Sequence, residues 1–281
     1  MKKYIIHIVL MVFVAVALVG GGWALASVDG QKTVIHFSFD DVSLCLNNIK
    51  TKNYDSIFDE PFLGKLKSLN EEYNACFSLY VYGGALENQP TKYKAEWQEC
   101  SSWLKFGLHY VDELGYAQKS YEDGFNDWNN FAENIYKMAG SYSLIDRVVR
   151  LHFFEGSGEA IRGMSEAKFG PVGFLCADDE RLSYTLTKQE QQLVKTNDYI
   201  NKDGFVFFST DIRCEKCVDG DFYKYLENTK KQEKITVVFT HEWQIYNGET
   251  LTENSSWIVD ACKFFKEKNI GFCFLAEYKH F

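Results

Sequence analysis

The sequence is short of proline, with three in 281 residues, and it has no proline/serine-rich linker, no low-complexity tract and no internal repeat. Nothing therefore divides it, and one domain is the economical reading. It also lacks an excess of positive charge, with 30 Lys+Arg against 39 Asp+Glu and a formal net charge of −9. Lys2 and Lys3 are the only charged residues before Ala26, so a chain starting after it keeps 28 basic residues against 39 acidic ones, a balance of −11. That balance argues against a nucleic-acid partner. No second apolar run long enough to cross a bilayer follows the first. Hydrophobic residues, by contrast, make up 46% of the chain and aromatic residues 16%, which excludes the signature of disorder and is enough for a sizeable core.

The N-terminus runs Met1-Lys2-Lys3, then an apolar stretch from Tyr4 to Val19, then a segment ending Ala24-Leu25-Ala26. A basic start, an apolar middle and an Ala-x-Ala end describe a secretory signal over 1–26, cleaved after Ala26. Residues 4–26 are also long enough to be a membrane anchor. Either reading predicts export, to a secreted or cell-surface location, with membrane attachment only through residues 4–26. Eight cysteines would suit a disulfide framework, but Cys76, Cys176 and Cys273 lie inside apolar runs, where a thiol acts as a small hydrophobe. Most are expected to be free. Cys214-Glu-Lys-Cys217 has no second Cys-x-x-Cys to complete a zinc ribbon, so a local disulfide or two idle thiols is expected.

Eight short apolar runs recur along the chain: 33–39, 76–81, 104–109, 148–153, 172–176, 205–209, 235–240 and 270–275. Runs of this length read as buried parallel strands, and amphipathic stretches such as 125–140 and 221–232 separate them. The alternation predicts an α/β fold, a distorted (β/α)7-8 barrel of one domain spanning 27–281. Barrel enzymes place their chemistry at the C-terminal ends of strands. Asp40-Asp41 close the first run, His109 the third and His241 the seventh, while Arg150 and His152 lie on the fourth. Two adjacent carboxylates at the end of a buried strand repel each other unless a cation shares their charge. Asp178, Asp179 and Asp211 either line the same cleft or cap helices, capping being the plainer reading. His36 is expected to pack in the barrel wall, and His152 is either a ligand or a core histidine.

At these residues the sequence resembles the polysaccharide deacetylase family of carbohydrate esterases. "SFDDV" resembles its Thr/Ser-Phe-Asp-Asp-Gly motif, which implies Asp40 as general base and Asp41 as metal ligand. "GLHYVDE" resembles His-Ser/Thr-x-x-His, matching His109 as a second ligand but placing Glu113 where the second histidine belongs. "RLHFF" resembles Arg-x-Pro-Tyr/Phe, with Arg150 on the arginine and His152 in place of proline, and "FTHEW" resembles Leu-x-His, with His241 as general acid. The resemblance implies metal-dependent removal of N- or O-acetyl groups from an acetylated oligo- or polysaccharide, with zinc as the family's ion. A ligand set of Asp41, His109 and Glu113 is harder and more anionic, which favours manganese, magnesium or calcium. The rival reading is a catalytically silent glycan-binding barrel. A thiol-redox role for Cys214 and Cys217 has no support in the surrounding sequence.

Overall fold

The computed structural model describes residues 33–217 and 235–278. The expected signal or anchor at 1–26 and the amphipathic stretch 221–232 lie outside the described residues. At the centre is β1 (Val34–Val42), flanked by β2 (Phe77–Tyr82) and β9 (Ile235–His241). A strand with neighbours on both edges and covered faces reads as a continuous apolar run rather than an alternating one. That is why "IHFSF" is buried throughout, with Phe37 and Phe39 stacked and Phe39 edge-on to Phe62. The sheet continues outward to β3 (Leu104–Tyr110) on one side and β8 (Ile212–Arg213) on the other, and β10 (Gly271–Phe272) pairs with the start of β1. All its ladders are parallel.

A second sheet has the order β4 (Val148–Val149), β5 (Gly173–Leu175), β7 (Phe205–Phe208), β6 (Tyr199–Lys202). The α/β expectation holds, but the strands form two hydrogen-bonded sheets rather than one closed ladder. Two local causes are visible. The link from β3 toward β4 is a single bridge, Phe106 to Ile145. The free edge of β7 is occupied by β6, which folds back antiparallel through a turn at Asp203-Gly204, both with positive φ, so β8 pairs with β9 alone. The strand expected over 148–153 is only two residues long and gives way to a 3-10 turn at His152–Phe154.

Helices α1 (Leu44–Thr51), α2 (Pro61–Tyr73), α3 (Lys94–Glu99), α4 (Tyr121–Ala139), α5 (Gly158–Glu166), α6 (Lys188–Asn197), α7 (Glu242–Ile245) and α8 (Ser256–Glu267) fill the connections. The longest, α4, starts on a capping box in which Ser120 and Asp123 satisfy each other's backbone N–H, and it stops at Gly140 in the left-handed region. It packs tightly on α5 because Gly124 and Gly163 carry no Cβ; a methyl at either would run into the carbonyl of Ala160 or Tyr121. Among the described residues, no helix is long and apolar enough to cross a membrane.

Candidate active site

The end of β1 explains how adjacent aspartates part company. Asp40 stays in register opposite His241 on β9. Between Phe39 and Val42 the register with β2 slips, and Asp41 adopts a φ of 57°. Such a bulge re-aims side chains, and aspartate is among the few residues that enter the left-handed region at modest cost. The turn that follows is fixed from β9, because the buried carboxylate of Glu242 accepts the backbone N–H groups of Ser43, Leu44 and Cys45 at 2.8, 2.7 and 2.9 Å. These are the free N–H groups that open α1, so one side chain ties the ends of two strands together.

Asp40 turns inward and is buried. Its Oδ1 accepts from Arg150 Nη1 at 2.9 Å. The same guanidinium donates to Ser38 Oγ (3.0 Å) and Thr210 Oγ1 (3.4 Å) and lies 4.0 Å from the centre of the Phe239 ring. A carboxylate so enclosed is tolerable only because its counter-charge is buried with it.

Asp41 turns outward, toward three histidines. Its Oδ1 lies 3.4 Å from His109 Nε2 and 3.8 Å from His152 Nδ1, and those two ring nitrogens are 3.3 Å apart. His109 Nδ1 is bonded to the Arg150 carbonyl, which can only accept, so this nitrogen carries the proton and Nε2 presents a bare lone pair. Asp41 Oδ1 is buried and has no hydrogen-bond partner. An orphaned carboxylate oxygen facing an unprotonated imidazole nitrogen fits a shared cation, and one carboxylate with two histidines suits a divalent transition metal. Burial alone would raise the Asp41 carboxyl, but its neighbours, His109 first and then His241 and Trp243, outweigh it and hold the group at about 2. Burial, and then the neighbouring His109, lower His152 below the usual histidine range. Both directions favour the ligand-competent forms.

His241 stands on the other side of Asp41, with Nε2 3.9 Å from Oδ2. Its Nδ1 meets Glu215 Oε1 at 2.8 Å, and that oxygen also accepts the His241 backbone N–H (2.7 Å) and the Thr240 hydroxyl (2.9 Å). Burial works against the charged imidazole, yet the Glu215 hydrogen bond and the charges of Asp40, Glu215 and Asp41 leave its pKa raised. Nε2 is thus a proton donor poised toward the site.

Five of the six residues singled out from the sequence meet here: Asp40, Asp41, His109, Arg150 and His241. Glu113 does not join the cluster. It is exposed in the loop after β3, on the wall of an open groove, and His152 fills the third position near Asp41 because the chain turns at His152–Phe154 instead of continuing as a strand. Sequence reasoning missed Glu215 and Trp243. Glu215 lies between Cys214 and Cys217, so the segment's contribution is a carboxylate. All eight cysteines are free, Cys214 is fully buried, and burial with the Glu215 charge pushes Cys217 up to about 11. Asp178, Asp179 and Asp211 cap none of the described helices: Asp178 pairs with Arg213 and Lys216, Asp179 with Arg181, and Asp211 accepts the Val237 N–H. His36 is buried against the Tyr80 hydroxyl.

No protein-family model and no curated protein matches the sequence. Solved structures do. The 4-alpha-glucanotransferase from Thermococcus litoralis matches with a TM-score of 0.52 at 16% identity, covering 88% of this chain and 38% of its own. A T48 deacetylase solved with substrate matches with a TM-score of 0.47 at 10% identity, covering 88% of this chain and 90% of its own. A CE4 family pseudoenzyme from Bacillus anthracis matches with a TM-score of 0.43 at 9% identity, covering 86% and 64%. The fold is one shared with the glucanotransferase. At these identities the likeness is one of fold alone.

Proposed function

We propose that this chain is a metal-dependent hydrolase that removes N- or O-acetyl groups from a polysaccharide. The observation that carries the reading is the convergence of Asp41, His109 and His152 between two separately supported proton-handling groups, Asp40 on Arg150 and His241 on Glu215. Asp41, His109 and His152 would hold a divalent ion, which when bound supplies Lewis-acid polarisation of the acetyl carbonyl and a more acidic water. Zinc suits a two-histidine, one-carboxylate set.

The chain's own residues account for the protons. Asp40, held through Oδ1 by Arg150, accepts the proton of the attacking water on its second oxygen, which receives no hydrogen bond from the described residues. Arg150 fixes the carboxylate in one rotamer. His241, charged and oriented through Nδ1 by Glu215, gives its Nε2 proton to the departing amine or alkoxide. Ser38 and Thr210 hold the guanidinium itself.

The test is acetate release from acetylated chitooligosaccharide, xylan and peptidoglycan fragments by the purified chain. Release from at least one of them, abolished by chelator and restored by added metal, is the expected result. No release from any of them, with or without metal, would replace this reading with a silent glycan-binding protein.

A further inference from the structure

Trp243 follows the proton-donating histidine by two residues, and the mechanism above does not use it. Its side chain is tethered at one edge, where Nε1–H donates to Asp41 Oδ2 at 3.2 Å. Its ring sits 5.3 Å from the His241 ring at an angle of 31°. Even so, 53% of the residue is exposed. Trp97 and Trp128 are fully buried in the core, so exposure here is a local property and not the habit of tryptophan in this chain.

The exposed ring borders an open groove of about 540 Å³ that reaches Asp41 and His152 and is walled also by Tyr110 and Phe153. Phe153 is 48% exposed, and both it and Phe154 hold positive φ, 57° and 61°. Two successive bulky residues in the left-handed region cost free energy, a pattern associated with functional sites, and of the two only Phe154 is buried in the core. One consequence is that Phe153 stands in the groove beside His152, ring centroids 3.9 Å apart.

We propose that Trp243 is a stacking platform for a pyranose ring of a polymeric, uncharged glycan, and that its N–H tether to Asp41 sets that ring beside the reacting centre. The inference deepens the deacetylase reading and depends on it for the identity of the centre. An aromatic face pinned at its polar edge offers apolar area to the C–H face of a sugar at little entropic cost. The groove is open rather than enclosed, which suits a unit of a longer chain as well as a free monosaccharide. Tyr110 and Phe153 add further apolar wall, and Glu113 adds a hydrogen-bond acceptor for hydroxyl groups.

The experiment compares the full chain with Trp243→Ala and Trp243→Phe, at saturating metal and after circular dichroism confirms folding. Chitohexaose serves as probe for calorimetric binding and tryptophan fluorescence, and acetate release gives kcat and KM. The Ala variant is expected to bind roughly tenfold more weakly and to raise KM about as much, with a smaller change in kcat. The Phe variant keeps the face and is expected to stay within about threefold of wild type in KM. Quenching by the hexasaccharide disappears in both variants. Binding and KM unchanged in Trp243→Ala, or quenching that persists in it, overturns the proposal. If the wild type releases no acetate but the tenfold loss of binding is still found, the platform stands and the deacetylase reading falls. If the wild type does not bind the hexasaccharide, the platform falls.

Discussion

Replacing Arg150 by Met should be among the most damaging substitutions in the chain, and the structure says why. Arg150 is 1% exposed and Asp40, its only ionic partner among the described residues, is 2% exposed. Methionine keeps an unbranched apolar stem but removes the guanidinium from Asp40, Ser38, Thr210 and the Phe239 ring. Breaking one side of a buried ion pair typically costs about 3–5 kcal/mol, because the remaining charge stays desolvated without a partner. That is a large share of a domain stability of roughly 5–15 kcal/mol. The double variant Asp40→Asn/Arg150→Met has no stranded charge, so it should recover ~2 kcal/mol relative to Arg150→Met alone. Urea unfolding of the wild type, both single variants and the double variant closes the cycle. A loss below about 1 kcal/mol for Arg150→Met, or an Asp40→Asn change that adds to the damage instead of relieving it, would refute an ionised, arginine-held Asp40.

Glu215→Gln removes the charge that, against the opposing effect of burial, keeps His241 raised. Without that charge the imidazolium loses its nearest counter-ion, so the His241 titration midpoint should fall, and an unchanged midpoint would refute the pairing. NMR titration of the ring in metal-free protein checks this. Asp146 is fully buried beside Ser78 and the Val148 N–H, and burial pushes its carboxyl from 3.8 up to about 6. Between those values the native state holds the proton more tightly than the unfolded chain. This group's contribution to stability is therefore complete below the lower value and is lost as pH rises through the upper one, by roughly 3 kcal/mol in all. Asp146→Asn should flatten that part of the stability curve measured by urea between pH 4 and 7, and a difference from wild type that does not vary with pH would exclude the effect.

Much of the site was legible because strand ends and charge coincide in the sequence. "HFSFDDV" announced both a buried central strand and a cation nearby, and the Asp41 bulge supplies the divergence that two neighbouring carboxylates require. Glu113 was matched to a ligand position through the resemblance of "GLHYVDE" to His-Ser/Thr-x-x-His, but the chain leaves β3 into an exposed loop and Glu113 stands apart from Asp41 and His109. His152 takes its place through a turn that its apolar neighbours disguise as strand. Glu215 was hidden by its flanking cysteines, which drew attention to sulfur chemistry. The hairpin that separates the two sheets did carry a signal, Asp203-Gly204 between "YINK" and "FVFF". The short β8 and the broken ladder depend on which edge β6 occupies, a tertiary fact that no local pattern encodes.

The central claim is that the two aspartates at the end of β1 do different work, Asp41 on a metal and Asp40 on a proton. Calorimetric titration of zinc and manganese into metal-free wild type, Asp40→Asn and Asp41→Asn measures it directly. The account predicts about one ion per chain for wild type and for Asp40→Asn, and a loss of binding for Asp41→Asn, whose neutral amide is a poor ligand beside His109 and His152. Equal metal affinity in the two variants, or no binding by the wild type, would contradict it.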